Sequence, residues 1–492
     1  VTRPNAAALT YKPLSSPDQG RHDIAFWILA GLFLMVFFQA AAPSPLYRVY
    51  QAQFHFTATT LTAVFAVYVL VLLVTLLFFG SVSDYLGRRP VIIAALVFSA
   101  AACAVFLAAH GVGALYAARS LQGIAGGLAI GPLGAALIDL QPPRSQRAPI
   151  VTSTFNSAGL ALGALITSAL VQYAPAPTRL IWWALLAVCV VGIVAVVAMA
   201  EPGSRRPGVL ASLRPMVAVP RQARGTFAAT VPSIVAPWAL AGLYLSLGPS
   251  LAAQTTGSNN LLWGGLVVFL LCGTGSVAAF VFRGIGSRAA MLAGCLFLLA
   301  GTAVTYGAIA TTTSAAFLAG TAIAGVGLGL AFLGAFRATT ALATPGQRAG
   351  LVTAIFIVLY LAFSLPALIA GVATTTFGLH STALIYSASL AALAAAAAGI
   401  LAAPHHPRLR PRRDRRDRGR RRRQAGYGHG EGGGQEAGGG ADGWVEHDAA
   451  AGDEGAGHHR AEGAAKLPGE RVQAEVAAER VVGREFGDQR GG

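Results

Sequence analysis

Acidic residues are almost missing from the body of this chain. Asp18, Asp23, Asp84, Asp139 and Glu201 are the only Asp or Glu before residue 404, and the other fifteen of the twenty lie in the last 89 residues. Charged residues of both signs make up 11% of the chain, against roughly 25% in a soluble domain. No Asp, Glu, Lys or His stands near the middle of any long apolar run. The body therefore offers neither a His, Ser and carboxylate set nor a metal-ligand cluster, and neither an enzyme nor a metal or cofactor is expected. Cysteine is also scarce: Cys103, Cys189, Cys272 and Cys295 each fall inside apolar runs. Without C-x-x-C spacing they read as small core- or lipid-facing residues, not as disulfides. The net charge of +16 is no sign of nucleic-acid binding, because body and tail carry it for separate reasons.

What is abundant is apolar length. Apolar residues make up 55% of the chain and mean hydropathy is +0.60, which places it in the membrane class. Apolar runs at 24–42, 61–79, 91–109, 113–138, 148–172 and 180–200 are followed by six more at 226–250, 261–282, 289–310, 314–340, 350–377 and 380–402. Each is long enough to cross a bilayer as a helix at roughly 1.5 Å per residue. The expectation is an all-α integral membrane protein of twelve transmembrane helices. Residues 1–23 form a polar N-terminal tail, and Ile24–Ala42 has no small-residue cleavage site, so it is read as a retained first span. Pro43 and Pro45 should break that helix at its outer end. Residues 201–225 carry five Arg and four Pro with no long apolar run, and read as a linker between halves 24–200 and 226–403.

The short loops set an orientation. With the N-terminus inside, the cytoplasmic connections hold Arg88, Arg89, Arg144, Arg147, Arg205, Arg206, Arg214, Arg221, Arg224, Arg283, Arg288 and Arg348, whereas the outer ones hold only Arg48 and Arg179. By the positive-inside rule both termini are cytoplasmic, in a plasma (inner) membrane. Residues 404–492 open with eleven Arg between Arg408 and Arg423 and continue rich in Gly, Ala, Glu and His. Such a segment cannot bury a core. It is expected to be a disordered cytoplasmic tail, read as a polybasic stretch against anionic lipid, as a solvated tail without a specific role, or as sequence read past its proper frame.

The halves repeat. Arg147–Phe155, RAPIVTSTF, aligns with Arg348–Phe356, RAGLVTAIF, at an offset of 201 with five identities in nine. Gly123 and Gly127 answer to Gly325 and Gly329 at an offset of 202. Between the second and third runs lies Gly80–Arg89, GSVSDYLGRR, in which Gly80, Asp84, Gly87, Arg88 and Arg89 make a tight turn bearing both charge signs. Its counterpart at an offset of 199 is AFVFRGIGSR, where Gly286 and Arg288 match Gly87 and Arg89 but Arg283 replaces Asp84.

The pattern G-x-x-x-D-x-x-G-R-R in that position resembles the signature loop of the major facilitator superfamily of secondary transporters. The resemblance covers residues 24–403. One departure is Tyr85, where the family usually has a basic residue. It implies two six-helix halves, a substrate cavity between them at mid-membrane, and a cytoplasmic loop that latches the halves as a gate. In the fourth run, Arg119-Ser-Leu-Gln122-Gly123 resembles the family motif R-x-x-Q-G, whose Arg is linked to proton transfer or substrate contact. A basic residue at helix centre costs about 2.5–3.5 kcal/mol on the insertion scale, so Arg119 should face a cavity with a partner. The alternative is an Arg that ties helices together through backbone carbonyls. Gln122, at i+3, is its nearest polar neighbour on the helix. Gln39 and Asn156 either touch substrate or make interhelical hydrogen bonds, and Asp139 joins Asp84 as a candidate for ion coupling. Asn156 precedes Gly159 and Gly163 where antiporters of the family carry Gly-Pro, and here the Pro is missing. Tyr47, Tyr68, Trp182, Trp183 and Trp263 read as packing or interfacial anchors, and Arg337 as a residue reaching for the membrane surface.

These residues, together with a resemblance to the drug and metabolite exporters of the family, imply an expected function: export of a small lipophilic, neutral or anionic compound by proton antiport, from a monomer using alternating access. A facilitator or importer of a polar nutrient is the nearest alternative. A transporter-like receptor without a transport cycle is another.

Overall fold

The computed structural model describes residues 16–142, 145, 147–202, 217–341 and 348–402, with the side chains of 16–19, 348 and 349 left out. Arg144, Arg205, Arg206, Arg214, the side chain of Arg348 and the tail from 404 onward lie outside the described residues.

With no water at membrane depth, backbone N–H and C=O groups must pair within the segment, which makes each long apolar run a helix. In chain order these are α1 (Ser16–Ala41), α2 (Pro43–Phe54), α3 (Ala58–Phe79), α4 (Ser83–Leu86), α5 (Arg88–Leu107), α6 (Val112–Leu140), α7 (Arg147–Tyr173) and α8 (Leu180–Ala198). After a 3₁₀ turn at Arg221–Ala223 come α9 (Arg224–Ser246), α10 (Gly248–Thr256), α11 (Leu262–Val281), α12 (Ser287–Ala310), α13 (Ser314–Thr340), α14 (Arg348–Phe377) and α15 (Leu379–Ala402). Among the described residues twelve stretches are long and apolar enough to cross a membrane, the first running from Gly20 to Phe54 through α1 and α2. All twelve expected runs fall on them.

The break expected at Pro43 and Pro45 is one of hydrogen bonding and not of direction: Ala42 keeps helical φ and ψ, and the span continues from Gly20 to Phe54. Pro43 takes the first position of α2, where its missing N–H is no loss, and α2 ends at His55 in the left-handed region. The seventh span repeats the device, with α9 giving way to α10 around Leu247.

Short loops make consecutive spans alternate in direction. One end of the bundle therefore gathers the loop at Gly80–Gly87, the start of α7 and the loop at Phe282–Gly286. The opposite end gathers residues 55–57, 174–179 and 257–261, together with Gly378. The first six spans meet the last six through α7 against α11 and α3 against α14. Several bonds between the two sets lie near the second end: Ser44 Oγ to the Leu245 carbonyl at 2.7 Å, Thr59 Oγ1 to the Gly371 carbonyl at 3.3 Å, and Leu261 N–H to Gln172 Oε1 at 2.9 Å. Deeper in, Phe65 of α3 meets Phe363 of α14 edge-on at 5.1 Å, and Trp238 of α9 stands edge-on to Phe363 at 5.6 Å.

Candidate functional site

The polar interior of the first six spans begins with a consequence of Pro43. In a continuous helix the Gln39 carbonyl would accept from the N–H four residues on, and that residue is Pro43, which has none. Gln122 of α6 supplies the missing donor, Nε2 to Gln39 O at 3.2 Å. Arg119, one turn earlier on α6, donates from Nη1 to the Ala40 carbonyl at 3.1 Å and to Gln122 Oε1 at 2.8 Å. The Gln39 side chain turns the other way. Its Nε2 donates to Ser99 O at 3.2 Å and to Cys103 Sγ at 3.3 Å, and its Oε1 accepts from Ser99 Oγ at 2.9 Å. One connected network thus joins α1, α5 and α6 around the broken end of α1.

Arg119 is 1% exposed, and no carboxylate pairs with it among the described residues. Its guanidinium lies 4.1 Å over the ring of Tyr68 and 5.9 Å from the centroid of Phe65, so aromatic faces supply part of the missing counter-charge. Its Nε makes no hydrogen bond. Gly123 makes this approach possible: a Cβ there would lie 2.7 Å from the Tyr68 carbonyl, and any larger residue would push α3 away from α6. Gln39, Ala40, Tyr68, Ser99 and Gln122 line a small cavity of ≈ 10 Å³, room for about one water. Because Phe65 also meets Phe363, a single ring separates the buried charge from the last six spans.

The Gly80–Arg89 loop forms a second cluster. Gly87 has φ +100°, a conformation that L side chains rarely adopt, and it turns the short α4 into α5. Arg88 reaches back to Asp84 Oδ1 and to Ser83 Oγ at 2.8 Å, and its Nε lies 3.5 Å from Asp139 Oδ2 at the end of α6. Glu201 completes the cluster. Its carboxylate accepts from the Arg88 N–H at 2.7 Å and the Arg89 N–H at 3.2 Å, placing a negative charge on the N-terminus of α5 where the helix dipole favours it. Arg89 Nη2 in turn donates to the Val197 carbonyl at the end of α8. These bonds all join elements of the first six spans and the residues just after them.

The structure therefore brings Gln39, Arg119, Gln122 and Gly123 together, and separately gathers Gly80, Asp84, Gly87, Arg88, Arg89 and Asp139. Asn156 joins neither. It is half-buried on α7, one turn before Gly159, whose bare Cα sits against the Leu34 carbonyl of α1. Tyr68, Ser99, Cys103 and Glu201 belong to these clusters, although sequence reasoning gave them no site role. A signal existed for part of this: Pro43 stands four residues after Gln39 and frees its carbonyl. Trp182 is a buried anchor, stacked on Phe106 at 3.9 Å, whereas Trp183 is exposed.

Twelve candidate spans among the described residues, with a buried polar network inside the first six, fit a multi-pass membrane protein of the transporter class. The chain belongs to the Major Facilitator Superfamily, whose family model matches residues 28–363. It is a secondary transporter of small molecules and not an enzyme. No curated protein sequence matches it. Among solved structures, a mutant of the nucleoside transporter NupG is similar at 10% identity and TM-score 0.62, over 77% of this chain and 99% of that one. A bacterial homologue of the human lysosomal transporter Spinster, inward-facing and unoccupied, is similar at 14% identity and TM-score 0.62, over 77% of this chain and 96% of that one. At such identities the likeness is one of fold.

Proposed function

We propose that the protein exports a small lipophilic compound, neutral or anionic, by alternating access and in exchange for protons. In this reading it works as a monomer in the plasma (inner) membrane, with the Gly80–Arg89 loop and both termini on the cytoplasmic side. The observation that carries it is Arg119: a guanidinium buried in the fourth span, without a carboxylate partner among the described residues, one ring away from the last six spans. A site with one positive charge among apolar and aromatic walls favours a lipophilic body and tolerates a negative charge, and it disfavours cations. Arginine placement supports the orientation, since Arg88, Arg89, Arg147, Arg221, Arg224, Arg283 and Arg288 share the loop end, against Arg48 and Arg179 at the other.

Asp84, Arg88 and Asp139 act in this reading as a charge cluster that changes partners during the cycle. Asp84→Asn then lowers the initial transport rate several-fold while membrane insertion, read by surface labelling, stays at the parent level. Equal rates in the two proteins remove the loop from the cycle.

The direct test is efflux of a broad compound panel from cells expressing the full chain, with and without a protonophore. Export that collapses when the proton gradient is dissipated supports antiport through Asp84, Asp139 or Arg119. A facilitator is the second reading, favoured by the lack of any Asp or Glu near the middle of a span. Movement indifferent to the protonophore and following the compound's own gradient selects it.

A further inference from the structure

The two halves neutralise their loop ends differently. In the first, Arg88 sits between Asp84 and Asp139 and Glu201 covers the start of α5. The second has no acid to do the same, because residues 202–413 contain no Asp or Glu at all. Arg283 stands at the position equivalent to Asp84 at the offset of 199, and Ala341 at that of Asp139 at the offset of 202.

Two arginines from neighbouring elements share that loop end. Arg337, late in α13, donates from Nη1 to the Arg283 carbonyl at 2.6 Å. The exposed Arg283 guanidinium lies 4.5 Å over the Phe280 ring. Arg288, at the start of α12, bonds the Leu401 carbonyl of α15 through Nε at 3.0 Å and Nη2 at 2.7 Å. Among the described residues the partners of Arg283 and Arg337 are thus a ring and a carbonyl, neither of which carries a negative charge, whereas a phosphate would supply one. Immediately along α11 the surface turns apolar and open: Val277, Phe280 and Val281 are 62%, 44% and 61% exposed. A ligand fitting both features carries an anionic head and long apolar chains.

We infer that Arg283 and Arg337, with the adjoining face of α11, bind an anionic phospholipid, the arginines holding its phosphate where the first half uses its own carboxylates. The inference goes beyond the transport reading and does not depend on what is carried.

The purified full chain, freed of co-purifying lipid, is mixed with phosphatidylglycerol or with phosphatidylcholine of the same chains, and bound lipid is counted by native mass spectrometry. At least one phosphatidylglycerol is retained per protein where phosphatidylcholine is not. Arg283→Gln with Arg337→Gln weakens that retention about tenfold, while Arg179→Gln at the opposite end leaves it unchanged. The doubly substituted Lys protein, which keeps both charges, retains the lipid and controls for folding. Equal retention by the Gln protein and the parent overturns the proposal and places the lipid elsewhere, the polybasic tail being the obvious site. Inorganic phosphate that displaces the lipid at matched concentration also overturns it, since the apolar face then contributes nothing.

Discussion

Replacing Arg119 with alanine will bring transport below about a hundredth of the parent rate, a loss of about 2.7 kcal/mol of transition-state stabilisation at 1.36 kcal/mol per tenfold. The twelve spans will still insert. Arg119 lies in the first half of α6, and a guanidinium inside a span costs up to about 2.5–3.5 kcal/mol, the value at helix centre on the insertion scale. Removing it relieves that cost but leaves the Ala40 carbonyl and Gln122 Oε1 without their donor, so expression is read beside rate. What alanine takes away is the link from α6 to the broken end of α1 through Ala40 and Gln122 and the charge over Tyr68. Arg119→Lys keeps the charge but loses the planar fork that bonds Gln122 and Ala40 while lying flat on a ring. It should transport at a rate between the other two. The measurement is initial efflux rate normalised to surface expression, and full activity in the alanine protein would leave Arg119 as a helix tie.

The second large effect is expected at Gly371→Val. Thr62 of α3 packs directly on Gly371 of α14, where a Cβ would fall inside the contact radius of Thr62 Oγ1 and 2.8 Å from its Cβ. Thr59 also donates to the Gly371 carbonyl. These contacts lie at the end of the bundle opposite the signature loop, so closing that end requires glycine at this position. Overpacking of this kind costs about 1–3 kcal/mol, and 3 kcal/mol changes the ratio of closed to open forms by about two decades. Transport should stop, and a Thr59→Cys probe in the same protein should react faster with a membrane-impermeant thiol reagent. Folding damage is separated by a compensating pair: Thr62→Gly should restore transport to the milder Gly371→Ala protein. Failure of that rescue, with unchanged labelling of the probe, would show that this contact is not part of the closed end.

The Gly80–Arg89 loop shows how site and scaffold differ in legibility. Its charges and glycines were readable because the turn is local: Gly87 must reach φ +100°, and i, i+4 spacing puts Arg88 beside Asp84. Glu201, more than a hundred residues on, was visible only as an acid at a span end. Its part in covering the start of α5 depends on how α8 lies along α5. Arg119 divides in the same way. Gln122 follows from i+3 spacing on one helix, whereas Tyr68 beneath the guanidinium depends on Gly123 letting α3 come close. Asn156 looked equivalent to Gln39 as a polar residue within a span, yet α7 carries it to a different place, outside the network that Gln39 joins.

By itself the sequence determined the number of spans, the internal repeat, the charged turn and an arginine well inside the fourth span. These follow from apolar length, from offsets near 200 residues and from contacts within a single helix or turn. Only the tertiary structure decided that Ser99 and Cys103 close the network around Gln39, that aromatic rings and not an acid face Arg119, and that Thr62 meets Gly371 where α3 packs on α14. In a membrane protein the lipid-facing and protein-facing sides of a helix are both apolar, so periodicity does not reveal its rotation. Partners across helices are chosen by that rotation and by depth, and both are set when the spans pack against one another.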